Sequence, residues 1–131
     1  MSVNIRFTHE IPSGWRIWKE NVEVADIPLW ITDARQFAYG RGQAIQLEQD
    51  PGNPNVIKVI GLYKGWFISH KAHIGFVPAE DAAIIARRDF AEFRPRLRSI
   101  WVGDQVNTRI NVKFDILETV KPRTKKLPKL V

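Results

Sequence analysis

Four aromatic residues, Tyr39, Tyr63, Trp66 and Trp101, are interleaved with Arg35, Arg41, Lys58, Lys64 and Lys71. Rings that stack on bases, beside cations that neutralise phosphates, are the chemistry of single-stranded nucleic-acid binding. The same residues have a plainer use. Large aromatics fill cores, and lysines and arginines coat surfaces. Trp66 and Trp101 as core fillers is the competing expectation, and Tyr63, beside Lys64-Gly65, falls at an expected loop tip. Other chemistries find less support. His70 and His73 are three apart, a spacing that does not bring both rings to one face of a strand, and no third metal ligand accompanies them. Ser13, Ser69 and Ser99 lie in no Gly-x-Ser-x-Gly motif. The acidic residues are scattered, with nothing to pair two of them for acid–base work. Gly40-Arg41-Gly42 is too short for a phosphate loop, and no Gly-Lys-Ser/Thr follows it. No catalytic residue, metal or cofactor is therefore expected, and a small-molecule hydrolase is the weakest reading.

The charge is unevenly spread. The net charge is +6, yet Lys121, Arg123, Lys125, Lys126 and Lys129 crowd into residues 121–131, which carry no acid. The remaining 15 lysines and arginines face all 14 acids across residues 1–120. The body is near neutral, so the high pI does not by itself argue for a basic binding face. One local cluster stands out there: Arg87, Arg88, Arg94, Arg96 and Arg98. The tail suits a nucleic-acid backbone or mere solubility. Cys is absent, which excludes disulfides and thiolate metal sites. No apolar stretch is long enough to cross a bilayer, and the start lacks an export signal pattern. A cytoplasmic protein with no membrane partner is the expectation.

These residues need elements to position them. Val3, Ile5 and Phe7 alternate with polar residues, the period of a half-buried strand. Trp15 to Val24 suggests further strand, and Trp15 and Trp18 are expected in the core. Pro28 within the apolar run Ile27–Ile31 predicts an edge strand or bulge. Asp33 to Gly40 predicts one or two helical turns, capped by Thr32 or Asp33 and stopped by Gly40. Ala44–Leu47 and Val56–Ile60 predict strands on either side of a dense turn signal, Asp50-Pro51-Gly52-Asn53-Pro54-Asn55. Short strands are expected at Trp66–Ser69 and His73–Val77. The best helix runs over about residues 79–93, with Pro78 in its first turn, Glu80 and Asp81 near its positive end, and Pro95 as its stop. Leu97–Val102 and Arg109–Leu117 return to strand. The sum is α+β and β-rich: a small OB-like or SH3-like curved sheet or barrel with one main helix, residues 1–120 forming a single domain and 121–131 a flexible tail.

The middle of the chain carries a family likeness. Its residues are Ile45-Gln46-Leu47-Glu48-Gln49-Asp50-Pro51-Gly52-Asn53-Pro54, then Asn55-Val56-Ile57-Lys58-Val59, then His73-Ile74-Gly75-Phe76-Val77-Pro78, then Ala79 to Ile85. In order and spacing this stretch resembles the HIRAN domain family, in a standalone bacterial or phage-type form. That resemblance implies an OB-like barrel with helices packed against it, and binding to single-stranded DNA or DNA ends in replication and repair. The family is attached elsewhere to Swi/Snf-type motors and nucleases, so a helicase or nuclease partner is implied to supply any hydrolysis. The family's Tyr-Asp pair after Asn-Pro is missing here, because Asn53-Pro54 runs directly into Asn55-Val56-Ile57. A loose match places the family's Arg-Tyr-Tyr on Pro28-Leu29-Trp30, where only an aromatic survives.

The expected function is thus a non-catalytic nucleic-acid-binding accessory module. The expected contacts are Trp30, Arg41, Asn53, Lys58, Tyr63, Lys64 and Lys71. The alternative is a protein–protein interaction module that keeps the fold and has lost the DNA-end site.

Overall fold

The computed structural model describes residues 3–104 and 109–120, and the basic segment 121–131 with its expected nucleic-acid role lies outside the described residues. The chain runs β1 (Val3–Arg6), β2 (Trp15–Glu23), a 3-10 turn (Ile27–Trp30), α1 (Ile31–Ala38), β3 (Arg41–Asp50), β4 (Asn53–Lys64), β5 (Ser69–Phe76), α2 (Ala79–Arg88), a second 3-10 turn (Phe90–Glu92), β6 (Phe93–Val102) and β7 (Ile110–Thr119). All strand pairs are antiparallel. One sheet has the order β1-β6-β7-β2 and the other β3-β4-β5. The architecture is β-rich α+β.

Period-2 patterning builds the core. On β4, Ile57, Val59, Gly61 and Tyr63 share one face, and on β7 Val112, Phe114 and Ile116 do the same. Ile57, Val59, Val112, Phe114 and Ile116 are wholly buried, with Leu97 and Ile100 of β6 and Ile85 of α2. Each such side chain contributes roughly 1.5–3 kcal/mol by leaving water. Gly61 is the gap in the β4 row that admits α1. A Cβ there would lie 2.6 Å from Cδ1 of Phe37, a fully buried ring on that helix.

The two sheets approach each other where β3 meets β6, and a backbone seam joins them beside β5. Ala25, just past β2, exchanges backbone hydrogen bonds with Phe76 of β5: its N–H donates to Phe76 O at 2.8 Å, and Phe76 N–H donates back at 2.9 Å. Gly75 makes this approach possible. A Cβ on it would lie 2.5 Å from Ala25 O and 2.5 Å from Val24 Cγ1.

Four of the five arginines clustered in the body, Arg88, Arg94, Arg96 and Arg98, are engaged internally. Asp115 on β7 is fully buried, and its Oδ2 accepts from Arg96 Nη1 at 2.9 Å and Arg98 Nη1 at 2.8 Å. Its Oδ1 accepts the backbone N–H of Asn21 at 3.0 Å. Asn21 has a φ of 51° and sits within the irregular stretch of β2, where register shifts leave that N–H off the ladder. Arg88 bonds Glu118 and lies over the Phe93 ring, while Arg94 lies over Trp15.

Glu118 gives a pH dependence. Burial alone would raise its pKa, but Arg16 at 2.9 Å and Arg88 at 3.0 Å outweigh that and hold the carboxyl below its ordinary 4.5. The folded state then binds this proton less readily than the unfolded chain. Its stabilising contribution is complete above 4.5 and is lost as pH falls through the depressed value. The urea midpoint of the native protein is expected to fall more between pH 7 and pH 3.5 than that of Glu118→Gln. Equal slopes for the two proteins would refute the assignment.

Several sequence expectations are corrected. The main helix stops at Arg88 rather than 93. Asp89 turns extended, and its carboxylate accepts the Ala91 N–H at 3.1 Å, starting a separate 3-10 turn. Phe93 then enters β6 as a buried strand residue. Pro28 marks no strand: it sits at the start of the 3-10 turn, where its missing N–H has no partner to lose. The following helix begins at Ile31, with Trp30 in the cap position and no side-chain cap from Thr32 or Asp33. The strand predicted at Trp66–Ser69 starts only at Ser69. The turn signal at 50–55 closes tightly, with Asp50 opposite Asn53, so Asn53, Pro54 and Asn55 belong to β4.

Candidate nucleic-acid interface

The β3-β4-β5 sheet has a core face and an outer face, and its register decides which residues share the latter. Along β4, Lys58, Ile60, Leu62 and Lys64 share the face opposite the core row, with Ile60 itself buried. Glu48, Gln46, Ala44 and Arg41 of β3 lie opposite them in that order. Phe76, His73, Lys71 and Ser69 of β5 flank them on the other side. Directly paired residues project to the same face. That face therefore carries four cations, Arg41, Lys58, Lys64 and Lys71, against one acid, Glu48, although the body as a whole is balanced.

The face ends at the β4–β5 hairpin tip. Gly65 N–H donates to Ile68 O at 3.0 Å, leaving Trp66 and Phe67 as the two central residues of the turn. Trp66 is 87% exposed, Phe67 93% and Ile68 65%. Arg41 is drawn to this tip, donating from Nη2 to Gly65 O at 2.9 Å. Two depressions flank the tip. One, about 460 Å³, lies among Phe67, Ile68, Ser69, Arg41 and Lys64. The other, about 680 Å³, opens between the end of α1 and the hairpin, with Tyr39, Tyr63, His70 and Trp66 on its walls.

The sequence-expected contacts separate into groups. Arg41, Lys64 and Lys71 come together at the hairpin end of the outer face, all exposed. Tyr63 belongs to the opposite face. It is half-buried, stacked on His70 with ring centres 5.1 Å apart, and set edge-on to Phe37 at 6.3 Å. Its hydroxyl donates weakly to Gln36 Oε1 at 3.5 Å. Lys58 lies in register between Glu48 and Phe76, and the half-buried Trp30 packs on His73 at 4.0 Å and on Phe76 at 6.4 Å. The Trp30 indole Nε1 is buried with no acceptor among the described residues, a situation that costs about 1–3 kcal/mol. Asn53 does not join them. It stands at the far end of β4 from Lys64, roughly 35 Å along an extended strand, and its Oδ1 accepts the N–H of Asn55 at 3.1 Å. Trp101 is on β6 in the other sheet, half-buried.

The two histidines lie on opposite faces, as their partners Tyr63 and Ile60 require. His73 adds no charge to the outer face at neutral pH. Burial pushes its pKa below the ordinary 6.5 against the opposing pull of its bond to Gly75 O. That bond, at 2.8 Å, needs a proton on Nε2, because a carbonyl can only accept. Among the described residues, no three His, Asp or Glu side chains gather where a metal ion could be held.

Phe67, Ile68 and Gln36 are not among the sequence-expected contacts, and His70 is weighed there only as a metal ligand. The missed signal was Gly65 followed by three large apolar residues in a row: alternation cannot bury all three when a hairpin turns among them. No protein-family model, curated protein or solved structure matches this chain.

Proposed function

We propose that this chain is a non-catalytic nucleic-acid-binding accessory module, of HIRAN type, that takes single-stranded DNA or DNA ends. The observation that carries the reading is the run of Arg41, Lys58, Lys64 and Lys71 along one sheet face toward an exposed aromatic tip. Cations spaced along a strand track a phosphate backbone, and bare rings offer every base a stacking surface. The Ala25–Phe76 seam supports an OB-like closure of the two sheets into a barrel. Hydrolytic work on the DNA falls to another chain, a helicase or nuclease.

Fluorescence anisotropy with single-stranded, tailed and blunt DNA tests this. Four phosphate contacts predict binding that weakens roughly 50-fold between 50 and 200 mM salt. Replacing Lys64 and Lys71 together by Ala is expected to halve the slope of log affinity against log salt. An unchanged slope would assign the binding to residues outside this face. No binding at low salt would end the proposal.

A second reading, a protein-interaction module, has one observation in its favour. Ile68 is as bare as a ligand contact yet has no flat face for a base, and a contiguous Trp66-Phe67-Ile68 tip also suits an apolar partner groove. Nuclease-treated pull-downs that retain a partner with the native protein and lose it with Phe67→Ser would support this alternative.

A further inference from the structure

We infer that the groove between the end of α1 and the β4–β5 hairpin is a subsite for one unpaired nucleobase, an inference that rests on the nucleic-acid reading above. The outer face supplies phosphate contacts. The groove lies round the hairpin on the other side and supplies a different chemistry.

Its floor is the Tyr63 ring, which the fold immobilises. Phe37 meets it edge-on and His70 stacks on it at an interplanar angle of 21°. The backbone at Gly40 presses against the same ring, where a Cβ would lie 2.5 Å from Tyr63 Cδ2. A ring packed in this way is a fixed apolar floor and not itself a stacking surface, because His70 already takes one of its faces. Tyr39, 58% exposed, and Trp66, 87% exposed, stand on the same groove as rings with open surface. Gln36 adds an amide: its Oε1 accepts from the Tyr63 hydroxyl, and its nitrogen is the donor that a base carbonyl or ring nitrogen would use. Arg41 and Lys64 line the groove as well as the outer face, so a strand can pass phosphates along the face and turn a base into the groove.

The lining selects the ligand class. Aromatic rings with one amide and two cations, and no carboxylate among them, suit a flat polar ring attached to an anion. The volume of about 680 Å³ falls within the usual size of small-ligand sites. A paired base keeps both its faces inside its own stack and offers none to these rings. The groove therefore favours unpaired over paired DNA.

The test uses the full chain, an oligothymidylate, and a deoxyribose-phosphate chain of the same length that carries no bases. The native protein is expected to bind the base-bearing strand about tenfold more tightly than the abasic one. Tyr39→Ala is expected to lose about tenfold on oligothymidylate and less than twofold on the abasic chain, with Tyr39→Phe restoring the difference. Tyr39 is exposed, so thermal melts of both variants should match the native protein. In NMR titration with thymidine monophosphate, shifts are expected at the Gln36 side-chain amide, Tyr39 and Gly40. Equal binding of the two strands by native protein overturns the subsite and leaves the proposed function standing. Failure of both strands to bind overturns the proposed function and the subsite together. Tighter capture by phosphatidylserine vesicles than by oligothymidylate, lost in Trp66→Ala, assigns the tip to a membrane surface and also overturns the subsite.

Discussion

Asp115→Ala is expected to cost about 3 kcal/mol of stability, a large part of the 5–15 kcal/mol that holds a domain of this size. The carboxylate is wholly buried and is shared by Arg96, Arg98 and the Asn21 N–H. Removing it leaves two guanidinium groups facing each other and one backbone donor unpaired. Breaking a buried charge cluster by deleting one member commonly costs about 3–5 kcal/mol. The lower end applies because the Arg98 side chain is 33% exposed and can turn toward water, whereas Arg96 is only 16% exposed. Arg96 is further tied by a bond from its Nε to His9 O at 2.7 Å. Urea denaturation at pH 7 should show a midpoint lower by roughly 2 M. Asp115→Asn retains an oxygen for Asn21 and should fall between the native protein and Asp115→Ala. A loss below 1 kcal/mol in the alanine variant would mean that the two arginines are solvated independently of Asp115.

Gly75→Ala is expected to cost about the same through a different cause. One added methyl group would meet the Ala25 carbonyl oxygen and Val24 Cγ1, each at 2.5 Å. Backbone cannot swing aside as a flexible side chain does, so relief means separating β5 from Ala25. Overpacking typically costs about 1–3 kcal/mol, and the two seam hydrogen bonds would stretch as well, each worth about 1 kcal/mol. Gly52→Ala is the control. Its new methyl group would sit in ordinary contact, 3.4 Å from Asp50 Oδ2, on an exposed turn, and should change stability by less than about 0.5 kcal/mol. Hydrogen exchange gives the local readout: the Ala25 and Phe76 amides should exchange faster in Gly75→Ala and unchanged in Gly52→Ala. Unaltered exchange at those two amides would show that the seam does not depend on Gly75.

Much of the fold was legible because its signals are local. Ile110, Val112, Phe114 and Ile116 alternate along β7, and Ala82 and Ile85 recur along α2 between acids at one end and arginines at the other. Gly75 permits the close approach at the seam. The misreadings arose where one residue serves two patterns. Phe90 and Phe93 continue the helical spacing of α2, yet Asp89 breaks the helix and gives Phe93 to β6. Trp66, Phe67 and Ile68 have the β propensity of a strand, but occupy a hairpin tip where none of the three is buried among the described residues. Asp115 falls at a polar position in the alternation of β7. It is buried because Asn21 of β2 and the arginines of β6 converge on it from 94 and 17 to 19 residues away.

Composition and periodicity by themselves determined the β-rich α+β class, the absence of thiol chemistry and the presence of most strands, because each depends on composition or on neighbours a few positions apart. They could not decide where charge collects. Arg41, Lys58, Lys64 and Lys71 come from three strands, and bulges near Gly42 and Ile74 set which way each one points. A shift of one residue in either pairing would send part of that set to the core face. Register is a contract among distant segments, so a near-neutral body, residues 1–120, holds a basic face that only the tertiary structure assembles.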